Sequence, residues 1–218
     1  MMDKTAAEAA GTGRRNDPIR TREDILDVAT AEFAEFSLSG ARVDTIARKT
    51  RTSKRMIYYY FGSKEGLYLA VLERAYRKIR TLEADLELDR LPPEQALRTL
   101  IASTFDYDDA NPDFVRIVST ENIHYAMHMK RSAEISDLNI SIIRVIEGIL
   151  ERGRDQGVFC REVDAIDLHM MISAFCFFRV SNQHTFRTIF NRDLSAPEIQ
   201  ARHRTMISDA VLSYLTTR

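Results

Sequence analysis

The chain has 218 residues, of which 44% are hydrophobic and 29% charged, an ordinary composition for a globular protein of one or two domains. Its formal charge of −1 argues against a uniformly basic coat protein and against an acidic disordered tail. Two cysteines, Cys160 and Cys176, are too few for a disulfide framework and favour a reducing, cytoplasmic location, and the short apolar runs predict no contact with a membrane.

The placement of prolines predicts an all-α fold. The five prolines leave long stretches without a helix breaker, rich in Ala, Leu, Ile, Glu and Arg. Residues 1–17 contain few large apolar side chains and are expected to form a mobile arm. We therefore expect about nine helices, with a three-helix helix-turn-helix domain over residues 18–66 and a helical bundle over residues 67–218.

The first predicted helix begins near Thr21, which can form a capping pair with Asp24, and ends before Gly40, a residue free to adopt positive φ. Two short helices follow, over 43–49 and 54–60, separated by a three-residue turn. Short helices across such a turn are typical of a helix-turn-helix motif.

The two short helices coincide with the most basic part of the chain. Residues 42–64 contain seven basic residues and one acidic residue, Asp44, within a chain that is almost neutral overall. Lys54 and Arg55 fall in the first turn of the second short helix, where the helix dipole disfavours positive charge and nearby DNA phosphates would offset that cost. This segment therefore has the charge pattern of a nucleic-acid-binding surface.

The segment over residues 21–73 resembles the N-terminal DNA-binding domain of the TetR family of bacterial transcriptional regulators. The resemblance lies in a helix ending in AEFAEFSLSG, then VDTIA, then SKRMIYYYF followed by SKEGL. It implies a homodimer that binds a near-palindromic double-stranded DNA operator at the nucleoid, represses transcription and leaves the operator when a small-molecule effector binds the C-terminal domain.

The resemblance also implies a role for individual residues. It places Arg42 and Lys64 on phosphate and the front of the recognition helix on the bases. The implied DNA-binding set is Arg42, Thr52, Ser53, Lys54, Arg55, Met56, Tyr58, Tyr60 and Lys64. The implied core set is Ile46, Ala47, Ile57, Tyr59 and Phe61. Arg51 occupies the turn position that is commonly glycine, where positive φ would cost about 1 kcal/mol.

The C-terminal half is predicted to contain long helices over 63–88, 92–109, 112–130, 133–156, 164–190 and 196–217. The helix over 164–190 is apolar on two faces, of which one can enter the core and the other can face a second subunit. We therefore expect a homodimer formed chiefly by the last two helices.

Several residues of this half are candidates for lining a ligand cavity, although apolar side chains at helical spacing also serve as core. The candidate set is Phe105, Phe114, Glu121, His124, His128, Phe175, Phe178, Arg179 and Asn182. Arg179 ends the run MMISAFCFF, so it needs either an internal or interface salt bridge or an anionic ligand, and Asn182 could join either arrangement. The expected effector is small and partly apolar, with an anionic or hydrogen-bonding head.

Glu121, His124 and His128 are spaced so that one helix face would hold all three side chains. The spacing suits a metal, but no fourth ligand is identifiable, so we expect pocket lining instead, with no metal and no cofactor. No G-x-S-x-G, Walker loop, GxGxxG or H-E-x-x-H sequence occurs, and an enzyme is not expected. The alternative function is a ligand-independent DNA-organising or protein-docking factor built on the same helix-turn-helix.

Overall fold

The computed structural model describes residues 17–217, which form helices joined by turns and short loops and contain no β-strand. None of the helices in this part of the chain is both long and apolar enough to cross a membrane. The all-α prediction is confirmed, and ten helices take the place of about nine. They are α1 Pro18–Gly40, α2 Val43–Lys49, α3 Lys54–Phe61, α4 Lys64–Ala84, α5 Pro93–Ala110, α6 Pro112–Ile123, α7 Ala133–Asp155, α8 Ala165–Ser181, α9 Gln183–Phe190 and α10 Pro197–Thr216, with short 3-10 turns at Leu88–Arg90 and Met129–Arg131.

The first helix begins three residues earlier than predicted. Asp17 caps it by accepting hydrogen bonds from the backbone N–H groups of Ile19 and Arg20. Pro18 fits the first helical position because its missing N–H has no partner there in any helix. The expected arm over residues 1–17 lies outside the described residues apart from Asp17. Near the other end, Ser37 and not Gly40 has the positive φ, 55°.

Three of the long predicted helices are shorter in the structure. The first, α4, ends at Ala84, and α6 ends at Ile123. The predicted helix over 164–190 divides at Asn182 into α8 and α9, since the Asn182 side chain donates to the carbonyl oxygen of Phe178 and its backbone leaves helical geometry at ψ 7°. Asparagine side chains compete for backbone hydrogen bonds in this way, which makes them common at helix ends.

The structure contains two large apolar cores. The first joins α1, α2, α3 and the first half of α4, and it also receives Ile117 from α6 and Ile135 from α7. The second joins α5, α7, α8 and α10. A small third cluster around Ile79 and Phe114 fills the space between α4, α5, α6 and α8. The domain division at residues 66 and 67 stays a prediction.

Candidate nucleic-acid interface and ligand cavity

The third helix presents most of its surface to solvent. Ser53 caps it, and the Ser53 hydroxyl accepts a hydrogen bond from the Met56 N–H at 3.2 Å. Ile57 is its one fully buried residue. Of the nine predicted DNA-binding residues, Thr52, Tyr60 and Lys64 are half-buried and the others are exposed: Arg42, Ser53, Lys54, Arg55, Met56 and Tyr58.

The basic side chains of this surface differ in their contacts. Lys54 Nζ lies 3.1 Å from the carboxylate of Asp44 on α2, and this hydrogen-bonded ion pair raises the pKa of Lys54. Lys64 Nζ donates to the carbonyl oxygen of Ser39 at 3.3 Å. Arg55 has no hydrogen-bond or ion-pair partner among residues 17–217. Of the two basic residues of α3, Arg55 is therefore the one without a partner in the part of the chain that the structure describes.

The expectation that Tyr59 faces the core is wrong, because its side chain is 78% exposed. Successive helical residues turn by about 100°, so Tyr59 points roughly opposite to Ile57, while Phe61 returns to the same side as Ile57. Tyr60 and Phe61 both pack against the first core. Tyr58 and Tyr59 are the phenols that face solvent.

One backbone conformation and one buried carboxylate distinguish this region: the first lies in the turn between α2 and α3, and the second connects α1 to α2. Arg51 does adopt positive φ, 54°, as expected at the position where glycine is common. Glu32 is buried, and its carboxylate accepts hydrogen bonds from Lys49 Nζ at 3.1 Å and from the backbone N–H of Arg42 at 3.3 Å. The sequence interpretation missed Glu32, although its position three residues after Ala29 places it on the apolar face of α1.

In the C-terminal half, both terminal nitrogens of Arg179 have internal partners, while its Nε has no hydrogen-bond partner among residues 17–217. Its guanidinium donates to both carboxylate oxygens of Asp109, at 2.7 and 3.1 Å, and to the carbonyl oxygen of Leu194 at 3.2 Å. It also lies 4.2 Å from the ring centre of Phe105. The side chain is 4% exposed, so the internal salt bridge is the alternative that the geometry favours.

Glu121, His124 and His128 do not share a helix face, and this expectation is wrong. The sixth helix ends at Ile123, and Tyr125 and Ala126 then adopt positive φ, which turns the chain back. Buried Glu121 accepts from His128 Nδ1 at 2.7 Å and from two backbone N–H groups, while His124 is exposed. Within residues 17–217, no three His, Cys, Asp or Glu side chains are placed to hold a metal ion.

A cavity of about 590 Å³ opens between α4, α5, α6, α7 and α8. Of the predicted ligand residues, Phe114 alone lines it. The other phenylalanines are elsewhere: Phe105 lies under Arg179, Phe175 packs against His203, and Phe178 faces solvent beside Phe186. Arg179 and Asn182 are held in the contacts described above, and neither they nor Glu121, His124 and His128 line the cavity. The structure thus does not bring Phe105, Phe114, His124, Phe175 and Arg179 together around this cavity, and their role in ligand binding stays a prediction.

The cavity has a charged wall that the sequence interpretation missed. Arg80 of α4 and Asp108 of α5 line it, and Arg80 Nη1 lies 2.7 Å from Glu83 Oε2. Burial raises the pKa of Asp108 and that of Glu83 to about 7 each. The signal lay in the spacing, because Tyr76, Ile79, Arg80 and Glu83 recur at the three- and four-residue intervals of one helix face.

Two family models match the chain, one in its N-terminal part and one in its C-terminal part. The model described as "Bacterial regulatory proteins, tetR family" matches residues 25–71. The model described as "Tetracyclin repressor-like, C-terminal domain" matches residues 93–211. The chain belongs to the TetR family. It is therefore a helix-turn-helix regulator, and the family model that describes its DNA-binding domain covers α2 and α3.

Relatives within the TetR family include named repressors. The HTH-type transcriptional repressor NicS of Pseudomonas putida KT2440 is 38% identical over 193 residues, which cover 88% of this chain and 91% of the relative. The HTH-type transcriptional repressor SCO4008 of Streptomyces coelicolor is 30% identical over 159 residues, which cover 72% of this chain and 77% of the relative.

Solved structures share the fold over nearly the whole chain. The putative transcriptional regulator SCO4942 of Streptomyces coelicolor has a TM-score of 0.68 at 25% identity, covering 91% of this chain and 99% of its own. The regulator FadR of Bacillus subtilis, solved with stearoyl-CoA, has a TM-score of 0.67 at 18% identity, covering 89% and 97%. At that identity the second comparison supports the fold alone.

Proposed function

We propose that this protein is a transcriptional repressor that binds operator DNA through α3 as a homodimer and leaves it when a small molecule enters the cavity beside Arg80. The observation that carries the proposal is the exposed, capped recognition helix with an unpaired Arg55, set apart from a helical bundle that contains a cavity. A regulator of this kind acts in the cytoplasm at the nucleoid and needs no catalytic activity.

The DNA contacts follow from exposure and charge. Arg42 and Lys64, at the starts of α2 and α4, are assigned to phosphate. Thr52, Ser53, Lys54, Arg55 and Met56 are assigned to the front of the recognition helix, where side chains reach base edges in the major groove, and Tyr58 and Tyr60 to the sugar-phosphate backbone. Lys54 would exchange Asp44 for DNA on binding.

Selection from a random pool of DNA duplexes, followed by binding titrations, tests the DNA half of the proposal. We expect two inverted half-sites with centres about one helical turn apart, roughly 34 Å. Adding a fractionated metabolite pool to the complex tests the other half. Release by one fraction supports a ligand-responsive repressor, and indifference to every fraction supports the ligand-independent DNA-organising or docking factor.

Substitutions at Lys64 and Arg55 separate the two kinds of DNA contact. Lys64→Ala should weaken binding to all duplexes alike and flatten the slope of log K against log salt by about one unit. Arg55→Ala should relax the preference at one base position by roughly 1–3 kcal/mol. Arg144→Ala, an exposed arginine of α7, is the control and should leave both quantities unchanged. A changed sequence preference in Lys64→Ala at an unchanged salt slope would contradict the assignment.

A further inference from the structure

Arg80 is a buried cation whose hydrogen-bonding capacity is not used. Its side chain is 8% exposed, and Nε and Nη1 are both buried without a hydrogen-bond partner among residues 17–217. Glu83 approaches to 2.7 Å, but the orientation makes an ion pair without a hydrogen bond, and Glu83 Oε2 also lacks a hydrogen-bond partner in this part of the chain. A buried polar group without a partner is costly, so the site is incomplete as it stands.

The charged groups around the cavity differ in how they can lower that cost. A guanidinium keeps its proton under all ordinary conditions, so Arg80 can be satisfied only by an acceptor. Asp108 and Glu83 can instead take a proton from solvent near neutral pH, because burial raises the pKa of each carboxyl to about 7. His169, on the α8 wall, has its pKa lowered by burial and by Arg80, which favours the neutral ring. Arg80 therefore keeps donors that a further anion, in addition to Glu83, can satisfy.

We propose that the cavity takes a small planar organic carboxylate, whose carboxylate group binds the guanidinium of Arg80 while its flat body lies among Tyr76, Phe114 and Phe177. The planar fork of an arginine matches a carboxylate through two parallel hydrogen bonds. Negative charge brought beside Asp108 raises its proton affinity further, so the ionised fraction of Asp108 takes up protons from solvent as the ligand binds near neutral pH. This inference rests on the proposed function, in which the cavity is the effector site.

Three probes that share one ring and differ in charge test the assignment: benzoate, benzamide and benzylammonium. Calorimetric titration of the full chain without DNA should show saturable binding of benzoate at least tenfold tighter than of the other two. Binding should be tighter at pH 6 than at pH 8, and the heats in buffers of different ionisation enthalpy should report proton uptake. Tighter binding of benzylammonium, or no binding of benzoate at millimolar concentration, would overturn the proposal.

Variants assign the binding to Arg80 and the proton to Asp108. Arg80→Gln should abolish benzoate binding, and Asp108→Asn should reduce both the proton uptake and the difference in affinity between pH 6 and pH 8. Arg77→Gln, an exposed arginine of the same helix, is the matched control and should retain both. Circular dichroism checks folding, and if Arg80→Gln does not fold, Arg80→Lys should fold and bind benzoate at least tenfold more weakly. Wild-type affinity in whichever Arg80 variant folds would overturn the proposal.

Parallel measurements of DNA release keep the two proposals apart. Arg80-dependent binding of benzoate without any effect on DNA affinity would support the carboxylate site and contradict its role as the effector site. Release of DNA by a metabolite whose action survives Arg80→Gln would support the repressor proposal and contradict the carboxylate assignment.

Discussion

Arg51 shows what a single backbone position contributes to the helix-turn-helix. Its φ of 54° is a conformation that side chains with a Cβ adopt at a cost of about 1 kcal/mol. We expect Arg51→Gly to raise the free energy of unfolding by about that amount. Arg48→Gly, three residues earlier inside α2, should lower it by a similar amount because glycine weakens a helix interior. Urea unfolding of both variants measures these two changes in the free energy of unfolding. Changes of the same sign in Arg51→Gly and Arg48→Gly would contradict the prediction.

Asp108 should make stability depend on pH. Burial raises its pKa to about 7 from 3.8, so the folded chain holds this proton more tightly than the unfolded chain does. The contribution of this group to stability is therefore complete below pH 3.8 and falls as pH rises through about 7. Asp108→Asn removes that fall, so the variant should gain on the order of 2 kcal/mol relative to wild type between about pH 4 and pH 8.

Urea unfolding at several pH values and one protein concentration measures this gain. Asp137→Asn, an exposed aspartate of α7, is the control, and its stability should follow the wild type across the same range. A constant difference between Asp108→Asn and wild type would show that the Asp108 carboxyl does not titrate in this window.

Single residues were predictable from sequence where helical periodicity decides their environment. Ile57 is buried and Tyr58 exposed, as their positions in α3 require. Arg179 and Arg80 show the limit, because each is a charged residue on an apolar helix face. Arg179 has a carboxylate in hydrogen-bonding geometry and Arg80 does not. This difference depends on how α5 packs against α4 and α8, which residue spacing within one helix cannot predict.

At the scale of elements, the first turn of α4 requires a glycine where it passes the end of α3. A Cβ at Gly66 would lie 2.0 Å from the carbonyl oxygen of Phe61, a distance that only movement of the backbone could relieve. Gly66→Ala should therefore lower the free energy of unfolding by about 2 kcal/mol or more and weaken DNA binding by displacing α3.

Gly148→Ala is the matched control for Gly66→Ala. A Cβ at Gly148 in α7 would meet just the end of the flexible Arg152 side chain, at 3.8 Å. This substitution should stabilise the protein by about 0.5–1 kcal/mol because alanine is the better helix former. We expect the midpoint temperature of thermal unfolding to fall in Gly66→Ala and to rise in Gly148→Ala. A lower midpoint in both variants would contradict the argument.

The approximate positions of the helices could be predicted from the placement of prolines and the spacing of apolar residues, whereas the residues at which helices end could not. Asp17 and Asn182 end or begin helices through their own side-chain hydrogen bonds, and such bonds compete with helix continuation by small free energies. The end of α6 depends on a more distant cause. Glu121 binds the backbone of His128 and Met129 and so stabilises the turn that carries Tyr125 and Ala126 at positive φ.

At the scale of the whole molecule, several exposed large apolar side chains lie on the last three helices. They are Ile166, Met170, Phe178, Ile189, Phe190, Met206 and Tyr214. A surface of this kind suits a two-fold interface with a second copy. We expect a dimer at micromolar concentration in the ultracentrifuge, and Phe178→Asp should shift it toward monomer because a buried unpaired charge opposes association.

Tyr125→Asp is the control for the dimer prediction, since Tyr125 is an exposed aromatic residue outside this surface. This variant should remain dimeric. A monomeric wild type without DNA, or equal dissociation of both variants, would contradict an interface on α8, α9 and α10.

Both ends of α4 carry residues assigned to function, and the distance between them has a mechanical consequence. Lys64 and Arg80 are separated by sixteen residues of one unbroken helix, about 24 Å at 1.5 Å per residue. A rigid rod of that length that pivots by about 5° at Arg80 moves its Lys64 end by about 2 Å. That displacement is comparable to the difference between a phosphate hydrogen bond and a broken one. If the proposed function holds, a small rotation of α4 caused by a ligand at Arg80 would therefore be large enough to change a contact between Lys64 and a DNA phosphate.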